Sequence, residues 1–135
     1  MLDLERFLVS FERRPGASHA AIAGAEEQLR VKLPREYVEF LRLTDGGEGF
    51  IGGGYAILWA VEELHSTNQD YEFMKYVPGF LSFGSDGGGE AFGFDTRDSL
   101  WSIVEVPFIG GGWHDARPLG ASFNAFLKQL YETEL

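Results

Sequence analysis

The sequence has 135 residues, 44% of them hydrophobic, with 12 Phe, no Cys and a formal charge of −10. This predicts one domain with a packed core and excludes disulfides and thiolate metal sites. No apolar run approaches the ~20 residues of a membrane-spanning helix, and the opening MLDLERFLVSFERR lacks the continuous apolar core of a signal peptide, so a cytoplasmic location is expected.

In chain order, Leu4, Phe7, Leu8 and Phe11 recur at helical spacing and predict an amphipathic helix over 3–13, ended by Arg13-Arg14-Pro15-Gly16. Ser18 is placed to cap a second helix carrying Ile22, Ala25, Glu26 and Leu29. Leu33-Pro34 breaks it, and Pro34 suits the first turn of a third helix with Tyr37, Phe40 and Leu41 as its apolar stripe. Asp45-Gly46-Gly47 should stop that helix, with Gly46 as a left-handed cap. Residues 46–54 read as a flexible Gly-rich connection, and Tyr55 to Trp59 as a strand. A short helical turn over Val61–Leu64 and a helix-plus-loop over 65–78 follow.

The stretch from Phe80 to Asp95 is the centre of the pattern. Leu81 and Phe83, then Phe92 and Phe94, alternate with smaller residues around Asp86-Gly87-Gly88-Gly89. Period two places each pair on one strand face, and Asp-Gly supplies the reversal, so a β-hairpin at the middle of a sheet is expected. Leu100, Ile103, Val104 and Val106 predict another strand ended by Pro107. Residues 108–120 read as loop, and Ser122 as the cap of a last helix with Phe123, Phe126, Leu127 and Leu130 on one face. Helices, then strands, then a closing helix predict a single α+β domain over 1–135. Its sheet should be mostly antiparallel and twisted, and Phe40, Leu41, Phe83, Phe92, Phe94, Phe123 and Phe126 should share its core.

Charge is uneven along the chain. Residues 1–35 hold six basic and five acidic side chains; the remaining 100 hold five basic and sixteen acidic. So acidic a surface disfavours direct nucleic-acid binding and attracts a basic protein.

The chemistry-bearing patterns are sparse. Gly47-Glu48-Gly49-Phe50-Ile51-Gly52 spells GxGxxG, but it follows a helix and leads into a strand, the reverse of the dinucleotide-binding context. Asp86 and Glu90 lack calcium-loop spacing and suit turn chemistry. His19, His65 and His114 are isolated, so no metal or other cofactor is expected. His114-Asp115 beside Trp113 has no accompanying nucleophile motif. Glu26, Glu36 and Glu39 read as solvated helix faces, with Glu26 also placed to bond backbone near the helix junction.

Three segments carry a family resemblance. The run Ile22…Glu26…Leu29…Leu33-Pro34…Tyr37…Phe40-Leu41…Asp45-Gly46-Gly47 resembles the opening signature of the SUKH superfamily, whose best-known branch is the yeast Smi/Knr domain. Phe83-Gly84-Ser85-Asp86-Gly87-Gly88-Gly89-Glu90 and Pro118-Leu119…Ser122-Phe123…Phe126-Leu127 resemble it in the same order, over roughly 18–130. The family usually shows Asn where Asp45 stands and often Gly where Arg30 stands. The resemblance implies a non-catalytic binding protein. Bacterial members look like immunity proteins that neutralise a toxin domain, often a nuclease; eukaryotic members look like regulatory or scaffold modules. A small enzyme using carboxylates in a cleft is the competing class. For a partner-binding face, the expected contacts are the loop carboxylates Asp45, Glu48, Asp86, Glu90 and Asp115, with Trp113, Tyr71 and Tyr76 as aromatic anchors.

Overall fold

A computed structural model describes residues 2–134. Seven strands form one antiparallel sheet in which spatial order follows chain order. They are β1 (Phe11–Arg13), β2 (Gly47–Ile51), β3 (Gly54–Leu58), β4 (Phe80–Ser85), β5 (Glu90–Asp95), β6 (Ile103–Pro107) and β7 (Arg117–Gly120). The helices are α1 (Leu4–Phe7), α2 (His19–Leu29), α3 (Arg35–Leu43), α4 (Leu64–Asp70), α5 (Phe73–Tyr76) and α6 (Phe123–Tyr131), with short 3-10 turns at Val61–Glu63 and Trp113–Asp115. This is the α+β architecture that the sequence predicts.

The Phe-rich hairpin forms as β4 and β5 near the middle of the sheet, with a bulge between Ser82 and Gly84. One face of the sheet carries the main core. There Phe83, Phe92 and Phe94 meet Tyr37 and Phe40 of α3 and Phe123 and Phe126 of α6, all buried. Ring centroids lie 4.9 Å apart for Phe83–Phe94, 5.0 Å for Phe92–Phe126 and 5.1 Å for Tyr37–Phe123. The inclined and edge-on geometries suit the ring quadrupole. Leu81, the fourth large residue of the hairpin, is only partly buried against this core.

Local chemistry places the helices. Ser18 Oγ accepts from Ala21 N and starts α2; Ser122 Oγ accepts from Ala125 N and starts α6. Glu36 Oε1 also accepts from Asn124 N, tying α3 to the first turn of α6, so Glu36 is not merely a solvated side chain. Glu26 Oε2 accepts from Leu33 N at 2.8 Å, bracing the α2–α3 junction.

Four segments depart from the sequence reading. The helix over 3–13 ends at Phe7, and Phe11–Arg13 is an edge strand paired with Gly47–Gly49. Phe7, Leu8 and Phe11 are still buried; Phe11 reaches the core from a strand because β2 needs a partner there, and tertiary pairing overrides local periodicity. The Gly-rich connection over 46–54 is the β2 strand, its turn and the start of β3. Gly46 does have positive φ (75°), but α3 has already ended, with Thr44 N donating to Phe40 O. Gly46 is required for another reason: a Cβ there would sit 2.4 Å from Leu58 O. Residues 108–120 contain β7, an edge strand in which Pro118 is tolerated. Leu100 lies outside its expected strand and is exposed.

The opposite face of the sheet is covered only in part. Phe73 and Val77 from the α5 region pack on Phe80, Ala91, Val104 and Val106 to make a second, smaller core. Asn68 fixes this cover: its Nδ2 donates to Leu64 O and Ser82 O, and its Oδ1 accepts from Ser82 N.

Candidate partner-binding face

The uncovered part of the second face lies on β1, β2 and β3. Alternation sends Gly47, Ile51, Ala56 and Leu58 to the main core and leaves Glu48, Phe50, Tyr55 and Ile57 on the outside. Register then sets neighbours. Glu12 stands opposite Glu48, Glu48 opposite Ile57, and Phe50 opposite Tyr55. The Phe50 and Tyr55 rings meet nearly at right angles with centroids 5.1 Å apart, yet Phe50 stays 43% exposed.

An aromatic path continues toward α5. Trp59 lies 6.5 Å from Phe108 and Phe108 lies 4.5 Å from Tyr71, centroid to centroid. Tyr71, Tyr76, Phe108 and Ile109 border a groove of about 420 Å³. Tyr76 is 57% and Ile109 90% exposed, large apolar area left in water.

What marks this face electrostatically is a pair of carboxylates set opposite each other across a strand ladder. Several carboxylates elsewhere have basic partners: Glu5 with Arg13, Glu39 with Arg35, Asp95 with Arg97, and Glu90 and Glu105 with Arg117. Among the described residues Glu12 and Glu48 have none within ion-pair distance, and they face each other across the ladder. Like charges directly opposite are unfavourable in a sheet. Glu48 accepts a hydrogen bond from the Tyr55 hydroxyl. That bond, followed by burial and the Glu48 and Glu12 charges, raises the Tyr55 phenol above its ordinary value. The result is two uncompensated carboxylates beside exposed aromatic rings.

The residues expected from the sequence fall into three groups. Glu48 lies at one end of this face, and Tyr71 and Tyr76 at the other. Asp86 and Glu90 sit at the β4–β5 turn. Asp86 Oδ1 accepts from Gly88 N at 2.7 Å and Glu90 N at 3.1 Å, while Glu90 lies 3.6 Å from Arg117. Asp45, Trp113 and Asp115 serve the fold. Asp45 Oδ1 accepts from Val61 N at 2.8 Å, and Asp115 Oδ2 accepts from Gly112 N. Trp113 Nε1 donates to Pro78 O at 2.7 Å, and its ring packs beneath the Arg97 guanidinium at 3.5 Å.

Sequence reasoning missed Glu12, Phe50, Ile57, Phe108 and Ile109. Glu12 was hidden by the helical reading of β1, and Phe50 by the Gly-rich reading of β2. The alternation Tyr55-Ala56-Ile57-Leu58-Trp59 was the available signal, since it leaves one face apolar on each side of the strand.

A cleft of about 260 Å³ on the core side brings Asp86 and Glu105 near Phe92 and Phe126. Burial raises the Glu105 carboxyl, against the lowering effect of Arg117. Arg117 bonds Glu105 directly, so the carboxylate is held in an ion pair rather than offered to a substrate. Among the described residues no three His, Asp or Glu side chains converge as metal ligands would, and no helix is long and apolar enough to cross a membrane.

Comparison with protein families gives one finding: residues 16–129 match the SMI1 / KNR4 family (SUKH-1). No curated protein matches the chain.

Proposed function

From membership of the SMI1 / KNR4 family (SUKH-1), to which this chain belongs, we propose that it is a non-catalytic immunity protein that binds and neutralises a cationic toxin domain. The family is generally non-catalytic and suits a protein-binding role. The observation that carries the finer reading is the unpaired Glu12–Glu48 ladder beside Phe50, Tyr55 and the Tyr71–Phe108 groove. Exposed aromatics supply anchors that lose water on binding, and carboxylates without basic partners keep their field for an incoming cation.

A nuclease toxin holds its substrate on a positive surface. An acidic inhibitor of charge −10 is attracted to that surface and excludes the nucleic acid sterically. Attraction acts on the encounter and aromatic packing on residence, so salt and carboxylate changes should alter association more than dissociation.

The test is binding kinetics against a basic nuclease-toxin domain, chosen from the neighbouring genes where one of them encodes such a domain. Replacing Glu12 and Glu48 together by Lys should slow association at least about tenfold at low salt while the melting temperature stays nearly constant. Salt-independent association would remove the electrostatic mechanism. Capture of a host regulatory protein with no toxin binding would move the chain to a scaffold role. Robust hydrolysis of a small substrate by the pure protein would overturn the class.

A further inference from the structure

We propose that a second site, on the other side of α5 from the aromatic groove, binds a small amphipathic carboxylate. It is a pocket of about 630 Å³ bounded by the end of α2, the α4–α5 segment and the start of β4. That volume lies in the range of small-molecule sites. Leu29, Val31, Phe73 and Leu81 supply apolar lining, and Met74, 79% exposed, stands at the margin as a flexible thioether that can close over an apolar body.

Its polar groups divide into spent and available. Asn68 already has both ends of its amide bonded, and Thr96 Oγ1 donates to Gly79 O. Glu72 and Lys75 lie 3.8 Å apart and largely offset each other. His65 also lines the pocket. Gln28 and Gln69 line it too, and of the charged groups Arg30 remains: among the described residues no carboxylate lies within ion-pair distance of it. A free guanidinium at the margin of an apolar pocket, on a chain of charge −10, is a local exception to the acidic field. Its fork matches a carboxylate.

Backbone conformation points to the same place. Among the described residues three non-glycine residues have positive φ, and two of them, Arg30 (58°) and Glu72 (55°), line this pocket. Arg30 ends α2 in the left-handed conformation, its N–H donating to the Glu26 and Glu27 carbonyls. Glycine is the ordinary residue for such a cap. A long cation held there against backbone preference is explained if its charge has a ligand to meet. The ligand that fits has an apolar body for the Leu29–Phe73–Leu81 lining and one anionic head for Arg30.

The experiment is a nitrogen-15 NMR titration of the full chain with decanoate below its micelle concentration, and in parallel with decanol. Saturable shifts for decanoate are expected at residues 29–31, 73–75 and 81, with at least tenfold weaker binding by decanol. Arg30→Gly should raise the melting temperature, because the cap strain is relieved, and weaken decanoate at least tenfold without changing decanol. Glu12→Lys with Glu48→Lys should leave decanoate binding at residues 29–31 in place, since that face is a separate site. No saturable shift at these residues, equal binding of decanol, or undiminished decanoate binding by Arg30→Gly would overturn the proposal.

Discussion

The two faces of the sheet are built from one set of strands and finished differently. On the inner face, Phe83, Phe92 and Phe94 are closed over by α3 and α6 until almost nothing remains exposed. On the outer face, α5 covers β4 to β6, and β1 to β3 are left with Phe50, Glu12 and Glu48 in water. The inner face satisfies nearly every group it buries. The outer face keeps opposed like charges and open apolar area that folding alone does not require. The comparison teaches that positions one apart along each strand are finished differently: one set carries the packed core, and the next is left free for the proposed recognition.

That contrast can be broken most sharply at the centre of the core. Phe126→Ala removes a ring packed on Phe83, Phe92 and Phe123 and should destabilise by about 4 kcal/mol, because transfer and cavity terms add. Urea melts measure it; a loss below ~1 kcal/mol would mean that the inner face does not carry the stability.

Gly46→Ala comes next. Positive φ and a Cβ 2.4 Å from Leu58 O combine there, so about 3 kcal/mol is expected. The same melts apply, and an unchanged midpoint would contradict the close passage of the α3–β2 connection along the end of β3.

Tyr37→Phe sharpens the comparison from the other direction. The Tyr37 hydroxyl is the buried side-chain polar atom without a partner among the described residues, and burial, with the charge of Asp45, pushes its pKa upward. Removing it while keeping the ring should stabilise by about 1 kcal/mol. A loss of stability would show that the hydroxyl is satisfied in solution.

The smallest effect belongs to the outer face. Glu12→Gln and Glu48→Gln, singly, should change stability by no more than about 0.5 kcal/mol, with the sign toward stabilisation as the opposed charges are relieved. A loss above ~1 kcal/mol would make these carboxylates structural and remove the distinction between the faces.

The inner face was legible in the sequence because its signals are local. Ser18 and Ser122 announce helix starts; Phe92 and Phe94 alternate; Tyr37, Phe40 and Leu41 share a stripe. The outer face was not, because it depends on register between distant segments. Nothing near Glu12 signals that it will stand opposite Glu48, 36 positions later. Phe11 matches helical spacing as well as strand burial, and the glycines of β2 conceal a strand whose backbone lies close against β1. Of the carboxylates nominated from loops, Asp45 and Asp86 were spent locally on backbone N–H groups, as Asp beside Gly often is.

Strand order that follows chain order has a consequence during synthesis. A chain made from its N-terminus can add β1 to β7 one beside the next, each new strand finding its partner already made. The aromatic interior, however, waits for α6, which follows all seven strands, to bring Phe123 and Phe126 onto Phe83 and Phe92. Until then the nascent sheet, covered by α3 but not yet by α6, holds part of its apolar side open to every neighbour in the crowded space around the ribosome. A message cut short before Ser122 would therefore yield a part-covered, sticky sheet and not a smaller working protein, which makes α6 the step that closes the core.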